Sequence, residues 1–500
     1  MRLPPAFALA VLALLSGAGC SRPDDIGAGP VAPAREALPS LPEHWQAVAN
    51  AAGPVDNGWI DAFDDPRLAA LVAEAQRNNP DLQAAAAQFA AASAMARQAR
   101  SGLLPSAQAL ASGSRSRIDI DEIDITGAEG LPIPSSLEYD STSFIGLAQV
   151  SWELDLWGRI GDGWYAALEN ERAAEADYRA AQQSLAAGVA RAYFLTIEAN
   201  GQVALAEEAV ATLDHLHRLV ALQVAAGVAM ERDLSLARAS LAQARERHEQ
   251  ARGQHGQAIR ALEVLVGRYP AADLDNGAVL PAMPPPPPAG IPSTLLERRP
   301  DLVAAERRVA AALHSEDEAA KARLPQLTLT GIAGAVSDAL EDLLDPTATL
   351  LSAGGNIAAP IFQGGALAAG ERLAEAGTRG AVAGYADTAL AAFEEVETAL
   401  DRGVVLRARR AAAAERLAEI EDAYRIEMLR YEVGESSLLD ALQIRQQAVE
   451  ARTGLLTIER ELREQYVTLN LALGGPWSDD AGANAVNRPD PPDSAGPDPG

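Results

Sequence analysis

A carboxylate recurs at one distance from a glycine. Asp233 stands six residues beyond Gly227, Asp440 stands six beyond Gly434, and the two pairs are 207 positions apart (434 − 227). An aspartate so placed can stabilise the first turn of a helix through the helix dipole. Other chemistry is scarce. Of the six histidines, His215 and His217 sit on different helix faces, and His248 and His255 are seven apart, too far along one axis to share a metal. No nucleophile elbow, phosphate loop or cysteine pair appears. The sequence therefore predicts no catalysis, no metal and no cofactor.

The N-terminus supplies an address. Met1-Arg2 precedes the apolar run Phe7 to Leu15, too short to span a bilayer and flanked like a secretory signal. The run ends in Leu15-Ser16-Gly17-Ala18-Gly19-Cys20, which resembles a bacterial lipoprotein box whose cysteine becomes the acylated mature terminus. Gly17 stands where such boxes usually carry Leu, and the alternative is cleavage near Ala18 with Cys20 unmodified. Ser21 lacks the aspartate that commonly holds bacterial lipoproteins at the inner membrane, so the resemblance implies the outer membrane. Cys20 is the only cysteine, which excludes an intrachain disulfide. A net charge of −28 argues against a nucleic-acid partner, because phosphate binding needs a basic surface.

The recurring carboxylates need helices that turn back on themselves. Gly434 can take the positive φ of a helix end, and Ser436 or Ser437 can cap the returning helix, so Arg430 to Asp440 reads as the tip of a helical hairpin. From Ile160 to Val224 helical sequence runs for about 65 residues, or about 97 Å. Val203, Ala206, Val210, Leu213, His217, Val220 and Val224 advance by threes and fours, the seam of a coiled coil. After Gly227 the returning helix repeats that rule from Leu234 through Ala244 and Ala258 to Leu265. With 4% aromatic residues and abundant Ala and Leu, the composition suits long helices packed closely side by side. Between helices, Phe144, Gly146, Ala148, Val150 and Trp152 would share one strand face. Segments 104–118, 141–154, 325–337 and 349–362 read as four strands.

The chain is also duplicated. Pro300-Asp301-Leu302 lies 220 positions after Pro80-Asp81-Leu82, Leu324-Pro325 lies 220 after Leu104-Pro105, and 11 of the 26 residues between these anchors are identical. The expected organisation is a signal peptide over 1–19, an extended tether over 20–58 and a first repeat over 59–269 with its β-hairpin at 104–154. A proline-rich linker over 270–293, a second repeat over 294–475 with its β-hairpin at 325–362, and a disordered tail over 476–500 follow. Four strands are too few to close a barrel with a lumen, and open strand edges cannot face lipid. A membrane reading requires an oligomer, and three copies give about twelve strands.

Several stretches together carry a resemblance: Asp64-Asp65-Pro66-Arg67-Leu68, Asn79-Pro80-Asp81-Leu82, Trp152 to Arg159, Ala190-Arg191-Ala192-Tyr193, Arg299 to Arg308, Pro360 to Gly365, and Tyr431 to Asp440. From Trp59 to Gly475 the chain resembles the TolC-like outer-membrane efflux family, most closely its lipoprotein branch. The resemblance implies a mixed, mainly α fold in which duplicated coiled-coil hairpins form an α-barrel. Four strands per chain would contribute to a twelve-stranded outer-membrane β-barrel in a homotrimer. It implies a passive duct for small molecules, served by a periplasmic adaptor and an inner-membrane transporter. It gives Asp440 a place at the periplasmic gate, where a ring of three carboxylates would favour cations, with Gly227 and Gly434 at the hairpin tips. Two departures are Gln443, where the family often has a second aspartate, and Ser436, where some relatives have a tip-closing arginine. Competing readings are the conduit of a type I protein secretion system and a periplasmic coiled-coil scaffold without a pore.

Overall fold

The computed structural model describes residues 32–47, 58–120, 137–275, 277, 279–345 and 349–475. The signal segment, Cys20, residues 121–136 of the acidic loop and the tail 476–500 lie outside them. The first half comprises α2 (Pro66–Asn78), α3 (Pro80–Ser101), strands β1 (Ser106–Ile120) and β2 (Leu137–Leu154), then α4 (Arg159–Ala225) and α5 (Glu231–Leu265). The second half repeats this order with α6 (Pro292–Arg298), α7 (Pro300–Lys321), β3 (Gln326–Ser337), β4 (Thr349–Ala358), α8 (Ala366–Glu432) and α9 (Leu438–Ala472). A short α1 (Ala32–Glu36) precedes both. The long helices α4 and α8 have 67 residues each, and α5 and α9 have 35 each. At 1.5 Å per residue the long pair spans about 100 Å.

Local chemistry sets the boundaries. The Asp65 carboxylate accepts from the amides of Arg67 and Leu68, and Pro66 occupies a first-turn position that needs no donor. Asn79 closes α2 and opens α3: its side chain accepts from Leu82 N at 3.0 Å and donates to Leu265 O at 2.9 Å. That second bond ties the helix junction to the far end of α5. Each long helix starts after a strand at a left-handed glycine, Gly158 with φ 75° and Gly365 with φ 86°, which lets the chain turn sharply out of the sheet.

The four strands form one antiparallel meander in the order β1-β2-β3-β4. The register places Val150 opposite Ala107 and Gly331, and Ala148 opposite Ala109 and Ala333. On the same face, Leu327 and Ala333 stand opposite Ile357 and Leu351. The alternation expected for one strand therefore holds across all four, giving an apolar face, while Gln108, Gln149, Thr330 and Ser352 belong to the other. Toward the distal end the apolar face gives way to charge, with Arg115 paired to Asp140 and Arg117 to Glu138. At the opposite end Trp152 Nε1 donates to Leu103 O at 3.0 Å and Trp157 Nε1 to Pro325 O at 2.8 Å. Among the described residues β1 and β4 each have a neighbour on one side only.

Three expectations need correction. The fourth strand ends at Ala358 rather than 362, because Pro360 has no N–H for the ladder, and Ile361 and Phe362 protrude at 97% and 89% exposure. In the helical seam Leu216 is buried and His217 only half-buried, so the apolar face passes through Ala209, Leu213, Leu216 and Val220. The segment expected as an extended tether is not idle over residues 32–47. It forms α1 and then lays Trp45 into the second half, where its Nε1 donates to Ala289 O at 3.0 Å and its ring lies 6.4 Å from Phe393. The amides of Gln46 and Ala47 both donate to the Glu397 carboxylate at 2.8 Å.

The core is divided accordingly. One cluster joins Trp59, Phe63 and α2 to α4, α5 and Tyr466. A second joins Trp45, Leu295 and Leu302 to α8 and α9. A third, around Leu213, Val220, Leu234, Tyr431 and Leu438, holds the two hairpins together near their tips.

Candidate functional site

Both tips are built alike from their glycines. Gly227 has φ 74° and Gly434 φ 80°, and the amides beyond them fold back: Val228 N donates to Gln223 O at 2.9 Å, and Glu435 N to Arg430 O at 2.8 Å. This paired closure satisfies carbonyls that a helix end leaves free. The returning helices are then capped differently. At the first tip the Asp233 carboxylate accepts from the Met230 amide at 3.3 Å. At the second, Ser437 is the cap: its Oγ accepts from Asp440 N at 3.2 Å and donates to Asp440 Oδ2 at 2.7 Å. Ser436 instead donates to Glu427, a buried carboxylate that also lies 3.5 Å from Arg430.

Asp440 is exposed and borders a shallow open groove lined by Glu427, Arg430, Glu435, Ser436, Gln443 and Ile444. The carboxylate thus stabilises its own turn and faces outward as well. Large apolar side chains crown both tips, among them Leu222, Val228 and Met230 on the first and Val433 and Leu439 on the second. The hairpins are bound to each other by groups that spacing gave no reason to single out. Tyr431 OH donates to Gln223 Oε1 at 3.1 Å, Arg445 to Ala209 O at 3.2 Å, and Arg452 pairs with Glu208 at 2.9 Å. Burial, reinforced by the nearby Asp233 charge, raises the Tyr431 phenol above its usual range and keeps it a donor.

The histidines singled out by spacing are not brought together as a metal site. The grouping among the described residues that could hold an ion is Asp162, His314 and Asp317, drawn from α4 and α7. There the Lys321 ammonium already rests on Asp162, with His314 Nδ1 3.7 Å from the same carboxylate. The arrangement neutralises charge within the protein, and joins Glu169–Arg307 and Asp177–Arg308 in an ion-paired seam between the halves. Cys20 falls outside the described residues.

The comparisons with known proteins agree with this geometry. The chain matches the family described as outer membrane efflux protein over residues 71–268 and 291–475. It is 31% identical over 477 residues to the antibiotic efflux pump outer membrane protein ArpC of Pseudomonas putida, covering 95% of this chain and 96% of that one. It is likewise 31% identical over 485 residues to the toluene efflux pump outer membrane protein TtgC of Pseudomonas putida, covering 95% and 96%. Among solved structures it superposes on the Campylobacter jejuni CmeC outer membrane channel with a TM-score of 0.78 and 27% identity, covering 89% of this chain and 94% of that one. With paired helical hairpins hung from a four-stranded sheet and a family match over most of its length, this chain belongs to the outer membrane efflux protein family.

Proposed function

We propose that the protein is the outer-membrane exit duct of a tripartite efflux system, a passive homotrimer that carries small molecules out from an inner-membrane transporter. The observation that carries this reading is the sheet, with its apolar face continuous over four strands and its two edges open. An edge left in lipid costs several kcal/mol per unpaired backbone group, so the sheet calls for neighbours that close it. Three copies give about twelve strands, a size found in outer-membrane barrels. Relatives named for antibiotic and toluene efflux support small-molecule cargo. Energy comes from the transporter, and the apolar crowns of the two tips suit a helical periplasmic adaptor. Acylation of Cys20, after removal of residues 1–19, would anchor each chain in the same membrane. Asp440 would contribute one carboxylate per copy to the gate at the tips.

The test begins with cross-linking in isolated outer membranes, where covalent species should stop at three copies. A stable, membrane-inserted monomer would refute the duct. Deleting the gene should sensitise cells to antibiotics or solvents, with rescue from a plasmid, and mass analysis of the mature N-terminus decides whether Cys20 carries lipid.

A further inference from the structure

The two tips differ at one buried position. Val220 of the first hairpin is fully buried in the cluster that joins the hairpins, and its counterpart in the second (427 − 207 = 220) is Glu427, only 8% exposed. A carboxylate there carries a desolvation cost that a valine does not, so donors must meet it. Two residues that the first tip lacks do so. Ser436 donates its hydroxyl to Glu427, and the Arg430 guanidinium lies 3.5 Å from the same carboxylate, one turn on along α8. Their counterparts at the first tip are Ala229 and Gln223, neither of which carries a charge. Glu427, Arg430 and Ser436 share one groove with Glu435 and Asp440, and among the described residues Arg430 is the one cation lining it.

We propose that Glu427 is a positioning residue of the gate: it holds Arg430 against α8 and so keeps the guanidinium off Asp440, which is left as an unneutralised carboxylate. The inference rests on the reading of Asp440 as a gate residue. Competition for the single cation supports it. Glu435 and Asp440 are exposed, where water screens a pair with Arg430, whereas the Glu427 side chain is only 11% exposed and its attraction is screened less. The buried carboxylate therefore wins the guanidinium. Adjacent serines keep the two carboxylates apart, Ser436 holding Glu427 on α8 and Ser437 Oγ holding Asp440 Oδ2 on α9 at 2.7 Å. Without Glu427, Arg430 would turn to the exposed carboxylates of the same groove, and one guanidinium per copy would cancel the ring of carboxylates that favours cations.

The experiment records single channels of the full chain in planar bilayers, with lanthanum added on the periplasmic side as the probe. Asp440→Asn gives the reference loss of block. Glu427→Gln keeps an oxygen for Ser436 but releases Arg430, and should weaken block about tenfold, as Asp440→Asn does, with a lowered cation preference. Adding Arg430→Gln to Glu427→Gln should return block to within about twofold of the parent, a recovery that a damaged fold cannot give. Arg430→Gln alone changes an exposed side chain and should be blocked at least as tightly as the parent; weaker block would overturn the proposal. If Asp440→Asn weakens block while Glu427→Gln does not, or if the double variant stays as weak as Glu427→Gln, the gate stands and the role of Glu427 is overturned. If Asp440→Asn leaves block unchanged, the gate reading falls and this proposal falls with it.

Discussion

The two halves share a plan but are closed by different parts of the chain. In the first, its own segment covers the core: Phe63 lies 5.1 Å from Phe194 and 5.2 Å from Tyr466, and α2 runs for 13 residues. In the second, α6 has only 7 residues, and Trp45 with its neighbours from the N-terminal segment completes the cover. The contrast extends to the ends of the returning helices. Glu263 near the end of α5 is 1% exposed and accepts from the amides of Ala272, Asp273 and Leu274, clasping the start of the proline-rich linker. Its counterpart near the end of α9 is Asn470, buried but uncharged, whose amide donates to Tyr466 O. A duplicated fold can thus keep its backbone plan while each copy solves its closure with unrelated chemistry.

The largest effect should come from the part that has no repeat. Trp45→Ala removes a ring that is 4% exposed and its bond to Ala289 O, and should cost about 3–5 kcal/mol, read as a lowered thermal midpoint with new proteolytic cuts confined to the second half. A loss below about 1 kcal/mol would mean that the segment lies on the surface without closing it. Next come the glycines that end the returning helices, Gly267 at φ 81° and Gly474 at φ 94°. A Cβ on Gly267 would lie 2.7 Å from Asn78 O, and one on Gly474 would lie 3.0 Å from Arg298 C. Alanine at either site should cost about 2–3 kcal/mol, with Gly267→Ala the worse, and denaturant midpoints of the two variants measure the order.

A smaller effect separates the halves by pH. Burial alone would raise the pKa of Glu263, but the three amides outweigh it and hold the carboxyl below its ordinary value. Its contribution is therefore complete above the unfolded carboxyl's pKa and is lost as pH falls through the lower folded value, an acid window below about pH 4. Glu263→Gln should cost about 1.5–2 kcal/mol at neutral pH and flatten the acid limb of the stability profile. An acid limb as steep as the parent's would move the responsibility elsewhere. The smallest structural effect is at the tips, where Asp440→Asn and Asp233→Asn each weaken a cap by about 0.5–1 kcal/mol. Their currents should differ: in planar bilayers Asp440→Asn reduces cation preference and block by multivalent cations. Equal traces for both variants would leave Asp440 as a cap alone.

Much of this plan was legible in the sequence because it rests on local periodicity. Glycine at the tips, alternation in Phe144 to Trp152 and the anchors 220 positions apart each act over a few residues or repeat in register. The role of Trp45 was not legible, because its segment has no period and its partner Ala289 lies 244 positions away. Tyr431 was visible as part of a motif, but its bond to Gln223 depends on how two hairpins lie together. The same holds for Asp162, His314 and Lys321, which meet only when α7 settles on α4. His217 fitted the spacing of threes and fours, yet the neighbouring Leu216 buries more apolar surface and takes the inward position.

The matched lengths of the helices work as a ruler. Because α4 equals α8 and α5 equals α9 to the residue, both turning points lie at one depth below the sheet. One heptad inserted into each arm of a single hairpin would push its turn about 10 Å beyond the other. The reach of the hairpins below the sheet can therefore change evenly only by edits made in both halves together. A chain copied from itself starts with that equality.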